Sequence, residues 1–256
     1  MKSFIFTVDD NIRLFKEICE RGYTSVFEHP YLAMYKRLHE TLGIKVQLNL
    51  FYECEGFCLN DMTERYKAEF ENNADWLKMS FHSKLENVKP YKDSDYDEVF
   101  RDCSRVNREI LRFAGEKSLA KTTTIHYCLA TNEGLRAIFD NGYIGLLGLY
   151  GSEEEPRTSY QNSQKEAEML RCGEFLKRGE ITYGAIGIVL NLFREGEILE
   201  KLSALTRRET IKIMIHEQYF YEDYKRYIPE FEEILASSFD YLANNGYTSE
   251  FFERLI

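Results

Sequence analysis

The chain lacks the features that most readily fix a protein's class. Its 256 residues include four prolines and no low-complexity tract or Gly/Ser-rich spacer, so nothing marks a linker and a single domain over residues 1–256 is expected. No apolar run approaches the ~20 residues needed to cross a bilayer. Met1-Lys2-Ser3-Phe4 leads straight into a strand-like run, without the apolar region and small-residue cleavage site of an export signal. A cytoplasmic chain with no membrane partner is the expectation. Positive charge is scarce: 33 Lys and Arg against 43 Asp and Glu give a net charge of −10. That argues against a nucleic-acid partner, because phosphate binding depends on clustered cations. The six cysteines (Cys19, Cys54, Cys58, Cys103, Cys128, Cys172) include no CxxC pair, so a structural zinc site of that kind is excluded and reduced thiols are expected. No GxGxxG or phosphate loop follows the first strand, which removes the main support for a nucleotide-binding open sheet.

What the chain does contain is alternation. Short apolar, β-rich runs fall at 3–8, 45–52, 77–82, 121–127, 143–150, 185–193 and 210–216. Helical periodicity predicts helices over 30–42, 61–74, 95–114, 132–141 and 222–244, several of them ending at a glycine. Strands regularly followed by helices imply parallel pairing with right-handed crossovers. The polar residues cluster at the carboxyl ends of those strands: Asp9 and Asp10, Glu53, His82, His126, Asn191, His216 and Glu217. In a (β/α) barrel these ends converge on one face, where active sites lie. The fold expected is therefore α/β, an irregular (β/α) barrel of about seven parallel strands.

Asp9-Asp10 is the most informative pair. Adjacent carboxylates at the end of a buried strand repel unless a cation or a shared proton offsets them, although acids also cap helices that follow. Three of the five histidines, His82, His126 and His216, stand on or just after strands, while His29 precedes a helix within reach of the same rim. Aromatics near strand ends, among them Tyr52, Tyr127, Tyr150 and Tyr219, suit either core packing or stacking on a sugar ring. The polar stretch from Gly151 to about residue 180 reads as a lid or a surface excursion.

The order of these motifs resembles the polysaccharide deacetylases of carbohydrate esterase family 4. Phe6-Thr7-Val8-Asp9-Asp10-Asn11 is similar to that family's Thr-Phe-Asp-Asp-Gly, which implies that Asp9 is a catalytic base and Asp10 a metal ligand. Phe81-His82-Ser83-Lys84-Leu85-Glu86 matches the start of the family's His-Ser/Thr-x-x-His and places Glu86 where the second histidine ligand stands. Met214-Ile215-His216 is similar to its Leu-x-His, making His216 the candidate general acid. Asn11 replaces the glycine, the Arg-x-Pro-Tyr motif is absent, with Ile125-His126-Tyr127 in its place, and Leu190-Asn191-Leu192-Phe193 stands for Asp-x-x-Asp-Trp.

Hydrolysis of an acetamide near neutral pH needs an activated water, a polarised carbonyl and an acid for the departing amine. Asp10, His82 and a third ligand would hold the ion, Asp9 would take the water proton, and His216 would protonate the leaving nitrogen. Glu86 reaches the site as third ligand if it follows His82 on a helical turn. A second carboxylate would then shift preference from zinc toward manganese or iron. His126 is the alternative, and His126, Tyr127, Asn191 and Glu217 are further candidates for ligand or substrate contacts. The activity implied is a divalent-metal hydrolase acting on an acetylated amino sugar or related amide. Its rivals are a noncatalytic carbohydrate-binding barrel without metal, and a different hydrolase or lyase using the same carboxylates.

Overall fold

The run at residues 4–8 is buried and forms the centre of β1 (Ser3–Asn11) in a computed structural model that describes residues 2–54, 56–86, 91–151 and 157–256. After it come α1 (Arg13–Arg21), α2 (Pro30–Leu42), β2 (Val46–Cys54), β3 (Phe57–Cys58), α3 (Lys67–Asn72), β4 (Leu77–Leu85) and α4 (Tyr96–Phe113). The second half holds β5 (Thr122–Thr123), α5 (Asn132–Asp140), β6 (Gly145–Gly148), α6 (Gln164–Arg171), β7 (Leu176–Arg178) and β8 (Ile181–Ala185). The chain closes with β9 (Ile188–Val189), α7 (Glu195–Leu205), β10 (Thr210–His216), α8 (Phe231–Asn244) and β11 (Thr248–Ser249).

Parallel pairing orders the first sheet β4-β2-β1-β10-β9 and the second β5-β6-β8, with β3 and β7 added antiparallel at their margins. Hydrogen bonds join the two sheets at both seams. Ala120 N–H donates to Met79 at 2.8 Å beside β4, and between β8 and β9 the chain passes from Gly148 to Lys212, Ile186 and Gly187 each donating at 2.8 Å. The result is the expected irregular (β/α) barrel. Its interior is plugged by Ile5, Leu147, Ile186, Val189, Met214 and Phe252, while the larger apolar cluster lies between the strands and the surrounding helices. Gly145 is required for this plug, because a Cβ there would lie 2.9 Å from the Phe252 ring and 2.8 Å from Thr122.

Several sequence expectations are corrected. The helix expected over 222–244 begins only at Phe231, and that over 61–74 shrinks to Lys67–Asn72 between short 3-10 turns. Helices α1, α6 and α7 were not expected. The polar stretch after Gly151 contains α6 and β7, while residues 152–156 lie outside the described residues. His29 does not reach the rim: fully buried, it caps α2 by accepting from Tyr31 N–H and meets Glu17 at 3.1 Å. Among the described residues the cysteines are all free thiols, and no helix is long and apolar enough to cross a membrane.

Candidate metal centre

Side chains alternate across a regular strand, so two adjacent carboxylates would face opposite sides. A bulge removes that restriction. Val8 pairs with Leu48 and Asn11 with Leu50, leaving Asp9 and Asp10 opposite the single residue Asn49. Asp10 takes up the extra length in the left-handed region, at φ 65°, a conformation that Asp tolerates better than most residues. β4 carries a second bulge: Phe81 pairs with Leu50 and Ser83 with Phe51, so His82 is the extra residue. Bulges of this kind re-aim side chains beside sites, and here both aim them into one cleft.

That cleft, of about 320 Å³, lies at the carboxyl ends of the strands and is lined by Asp9, Asp10, His82, His126, Asn191, His216 and Gln218, with Tyr127, Leu192, Tyr219 and Arg157 at its walls. His82 donates from Nδ1 to the Thr124 carbonyl at 2.5 Å, and His126 donates from Nε2 to the Glu86 carbonyl at 2.9 Å. Each imidazole thus has one nitrogen bound to backbone, which leaves His82 Nε2 and His126 Nδ1 as lone-pair donors in the neutral rings. These two atoms are 3.0 Å apart, and Asp10 Oδ1 lies 3.1 Å from the first and 3.4 Å from the second. Three acceptors therefore converge with no proton among them unless a histidine is charged. Ligands about 2.0–2.1 Å from an ion, at angles between octahedral and tetrahedral, would be roughly 2.9–3.4 Å apart. The triangle fits a divalent cation.

The surroundings shift these groups in different directions: burial opposes a charge on His82, but Asp9 and Asp10 outweigh it and raise its pKa. Burial opposes ionisation of Asp10, but the hydrogen bond and charge of His82, aided by His216 and His126, outweigh it and hold the carboxyl well below the usual range. Gln218 donates to the other oxygen of Asp10 at 2.9 Å. Burial, reinforced by Asp10, raises Asp9 against the pull of His82 and His216. His126 is pushed down to about 4 by burial and by its neighbour His82. His216, paired with Asp9 across β1 and β10, donates from Nδ1 to Asn191 Oδ1 at 2.8 Å, and this leaves Nε2 for the cleft.

Glu86 does not join the ligand triangle. The chain stays extended from Leu77 to Leu85, so no helical turn brings residue 86 back over residue 82, and four extended residues separate them by roughly 13 Å along the strand. The Glu86 carboxylate accepts from the Cys54 thiol at 3.6 Å, and its carbonyl orients His126. His126, the alternative third ligand, is the residue brought in. Glu217 also lies apart from the triangle: its carboxylate accepts from the N–H groups of Ile12, Arg13 and Leu14 at 2.7, 3.0 and 2.7 Å and from Tyr221. It is the N-terminal cap of α1, whose own preceding residue, Ile12, has no capping side chain. Burial pushes Glu217 up to about 7 despite those donors. Of the aromatics proposed for stacking, Tyr127 and Tyr219 reach the cleft; Tyr127 is 47% exposed and lies 4.1 Å from the His126 ring centre. Sequence reasoning missed Asn49, Gln218 and Arg157. Only Asn49 left a signal, since Gln47 and Asn49 interrupt an otherwise apolar strand at alternate positions.

No known protein-family profile matches the chain, and no curated protein matches it in sequence. Its fold is nevertheless that of solved carbohydrate esterase family 4 proteins. A family 4 acetyl xylan esterase from Clostridium thermocellum, in complex with a cobalt ion, aligns with a TM-score of 0.55 at 12% identity, over 99% of this chain and 90% of that one. A peptidoglycan N-acetylglucosamine deacetylase aligns with a TM-score of 0.57 at 10% identity, over 99% and 87%. A family pseudoenzyme from Bacillus anthracis aligns with a TM-score of 0.54 at 11% identity, over 99% and 65%. At these identities the likeness establishes the barrel and leaves the chemistry to the site.

Proposed function

We propose that the protein is a metal-dependent hydrolase that removes an acetyl or similar acyl group from an amino sugar or related amide. The observation that carries this reading is the convergence of Asp10 Oδ1, His82 Nε2 and His126 Nδ1 at 3.0–3.4 Å, in a cleft that also presents Asp9 and His216. A divalent ion held by these three would polarise the acyl oxygen and make a water acidic enough to serve as nucleophile near neutral pH. Two imidazoles and one carboxylate suit zinc or iron better than magnesium or manganese. Asp9 accepts the proton of the attacking water. His216 gives a proton from Nε2 to the departing nitrogen, its ring held by Asn191. Tyr127 and Tyr219 offer ring faces at the cleft wall to a pyranose, and the overall negative charge suits a neutral sugar or its cationic amine product.

The reading is tested by metal analysis of the tag-free protein and two variants. His126→Ala should abolish binding of zinc and manganese in calorimetry, whereas Glu86→Ala should retain it. If the unmodified protein binds neither ion more tightly than ~1 mM, about 4 kcal/mol, the metal centre is refuted. Release of acetate and a free amine from an N-acetylated sugar would establish the reaction; cleavage elsewhere in the sugar would replace it with another hydrolase or lyase.

A further inference from the structure

We propose that Asn49 is a positioning residue for Asp9, and that it acts through a hydrogen-bonded belt running around the barrel interior. The inference rests on the role given to Asp9 above and extends it to a residue that nothing in the chain's motifs assigns.

Strand register puts the belt together. Asn49 stands opposite the Asp9–Asp10 bulge on one side and opposite Ser80 on the other, and Asp9 itself pairs with His216. Asn49 is inaccessible to water and donates from Nδ2 to Asp9 Oδ1 at 2.6 Å. Its own oxygen accepts from Gln47 Nε2 at 2.8 Å and from the Ser80 hydroxyl at 2.5 Å. Gln47 in turn donates to the Thr122 carbonyl at 2.9 Å and accepts from the Thr122 hydroxyl at 3.0 Å.

This arrangement has only one polarity. Gln47 Nε2 can only donate, so Asn49 must turn its oxygen toward Gln47 and Ser80 and its NH₂ toward Asp9. The amide cannot flip without placing donor against donor at Gln47 and acceptor against acceptor at Asp9, each a buried unsatisfied pair. Asp9 Oδ1 is thereby fixed as an acceptor of a protein hydrogen bond, and Oδ2 is the oxygen left to address the cleft that Asp9 lines. A general base must hold its acceptor oxygen within hydrogen-bond reach of the water it activates, and small misplacements are costly in rate. The belt ties that oxygen to three strands, β1, β2 and β4, and through Thr122 to β5.

The test uses the full chain loaded with zinc, and compares Asn49→Leu, which keeps the branched shape at a larger volume, with Asn49→Ala. Each should lower kcat at least about tenfold, with KM within about twofold and bound metal unchanged. A purely structural role would lower the folded fraction and leave kcat per folded molecule intact. The second measurement is a double-mutant cycle in unfolding, combining Asn49→Ala with Asp9→Ala. The two losses should be non-additive, with a coupling of at least about fivefold in the unfolding constant. Unchanged kcat in both Asn49 variants, while Asp9→Asn is inactive, overturns the proposal. So does strict additivity in the cycle. Full activity of Asp9→Asn would instead refute the base assignment, and the cycle would still decide whether Asn49 holds Asp9.

Discussion

Replacing Lys212 with methionine should stabilise the protein. Lys212 lies on β10, 1% exposed, with its ammonium 3.2 Å from the Gly173 carbonyl and 4.3 Å from the centre of the Phe175 ring. Among the described residues no carboxylate pairs with it, and its charged neighbour is Arg208. Burial first, and then Arg208, push its pKa down to about 8 from a usual 10.5. At 1.36 kcal/mol per pH decade, that displacement corresponds to a cost of roughly 3 kcal/mol for keeping the ammonium charged in the folded state. Methionine keeps the unbranched stem that packs against Gly184 and adds no volume at the tip. Against the gain stand one hydrogen bond to the Gly173 carbonyl just past α6, worth about 1 kcal/mol net, and the ammonium's contact with the Phe175 ring, which a thioether–ring contact of about the same size replaces. The expected balance is therefore about 2 kcal/mol of added stability at pH 7, or roughly 4–8 °C in Tm for a chain of this size.

The pH dependence separates this cause from better packing alone. Below pH 8 the lysine is protonated in both folded and unfolded states, and the penalty is present in full. Between about 8 and 10.5 the unfolded chain binds more protons than the folded one, so the stability of the unmodified protein rises with pH and the penalty fades. The Lys212→Met variant lacks that rise. Urea unfolding of both proteins at pH 7 and pH 10 should show the advantage of methionine shrinking to within about 1 kcal/mol of zero. A variant less stable at pH 7, or an advantage that stays constant between the two pH values, would refute the reasoning.

Other substitutions address the cleft and its supports. Asp9→Asn and His216→Ala should each reduce kcat by ~10²-fold or more with metal content unchanged, measured as acetate release per folded, metal-loaded molecule. Asp10→Ala and His82→Ala should lose metal and activity together, and retention of metal in both would dismantle the site. Glu217→Gln places an amide donor against the first N–H groups of α1, so it should cost about 1–3 kcal/mol in denaturant unfolding; a neutral effect would show that α1 does not depend on this cap.

Much of the barrel was legible because its information is local. Apolar runs bounded by polar residues, with helical periodicity between them, specify strand and crossover without reference to distant partners, and the polar strand ends point to one rim. Helix α1 shows where this stops. Ile12 offers no capping oxygen and the first turn holds no acid, so the helix that Asp9-Asp10 could have capped starts without a local cap. The cap is Glu217, about 200 positions away in sequence. The same holds for the third candidate ligand. Glu86 follows from likeness to a motif within one segment and from a helical turn over residues 82–86; the chain stays extended there, and His126 arrives from the turn that follows β5.

Backbone strain is the other part of the site that spacing could not reveal. Among the described residues, five that are not glycine adopt positive φ: Asp10, Tyr127, Cys128, Tyr160 and Gln161. Asp10 is a candidate ligand, and Tyr127 and Cys128 line the cleft directly after His126. The other two support that turn from beneath, Tyr160 N–H donating to the Cys128 carbonyl at 3.2 Å and Gln161 to the Ala130 carbonyl at 3.3 Å. Each such residue costs of order 1–3 kcal/mol and persists only where its surroundings over-determine it. They concentrate around Asp10 on β1 and the turn that carries His126, the two segments whose side chains meet at 3.4 Å in the candidate metal centre.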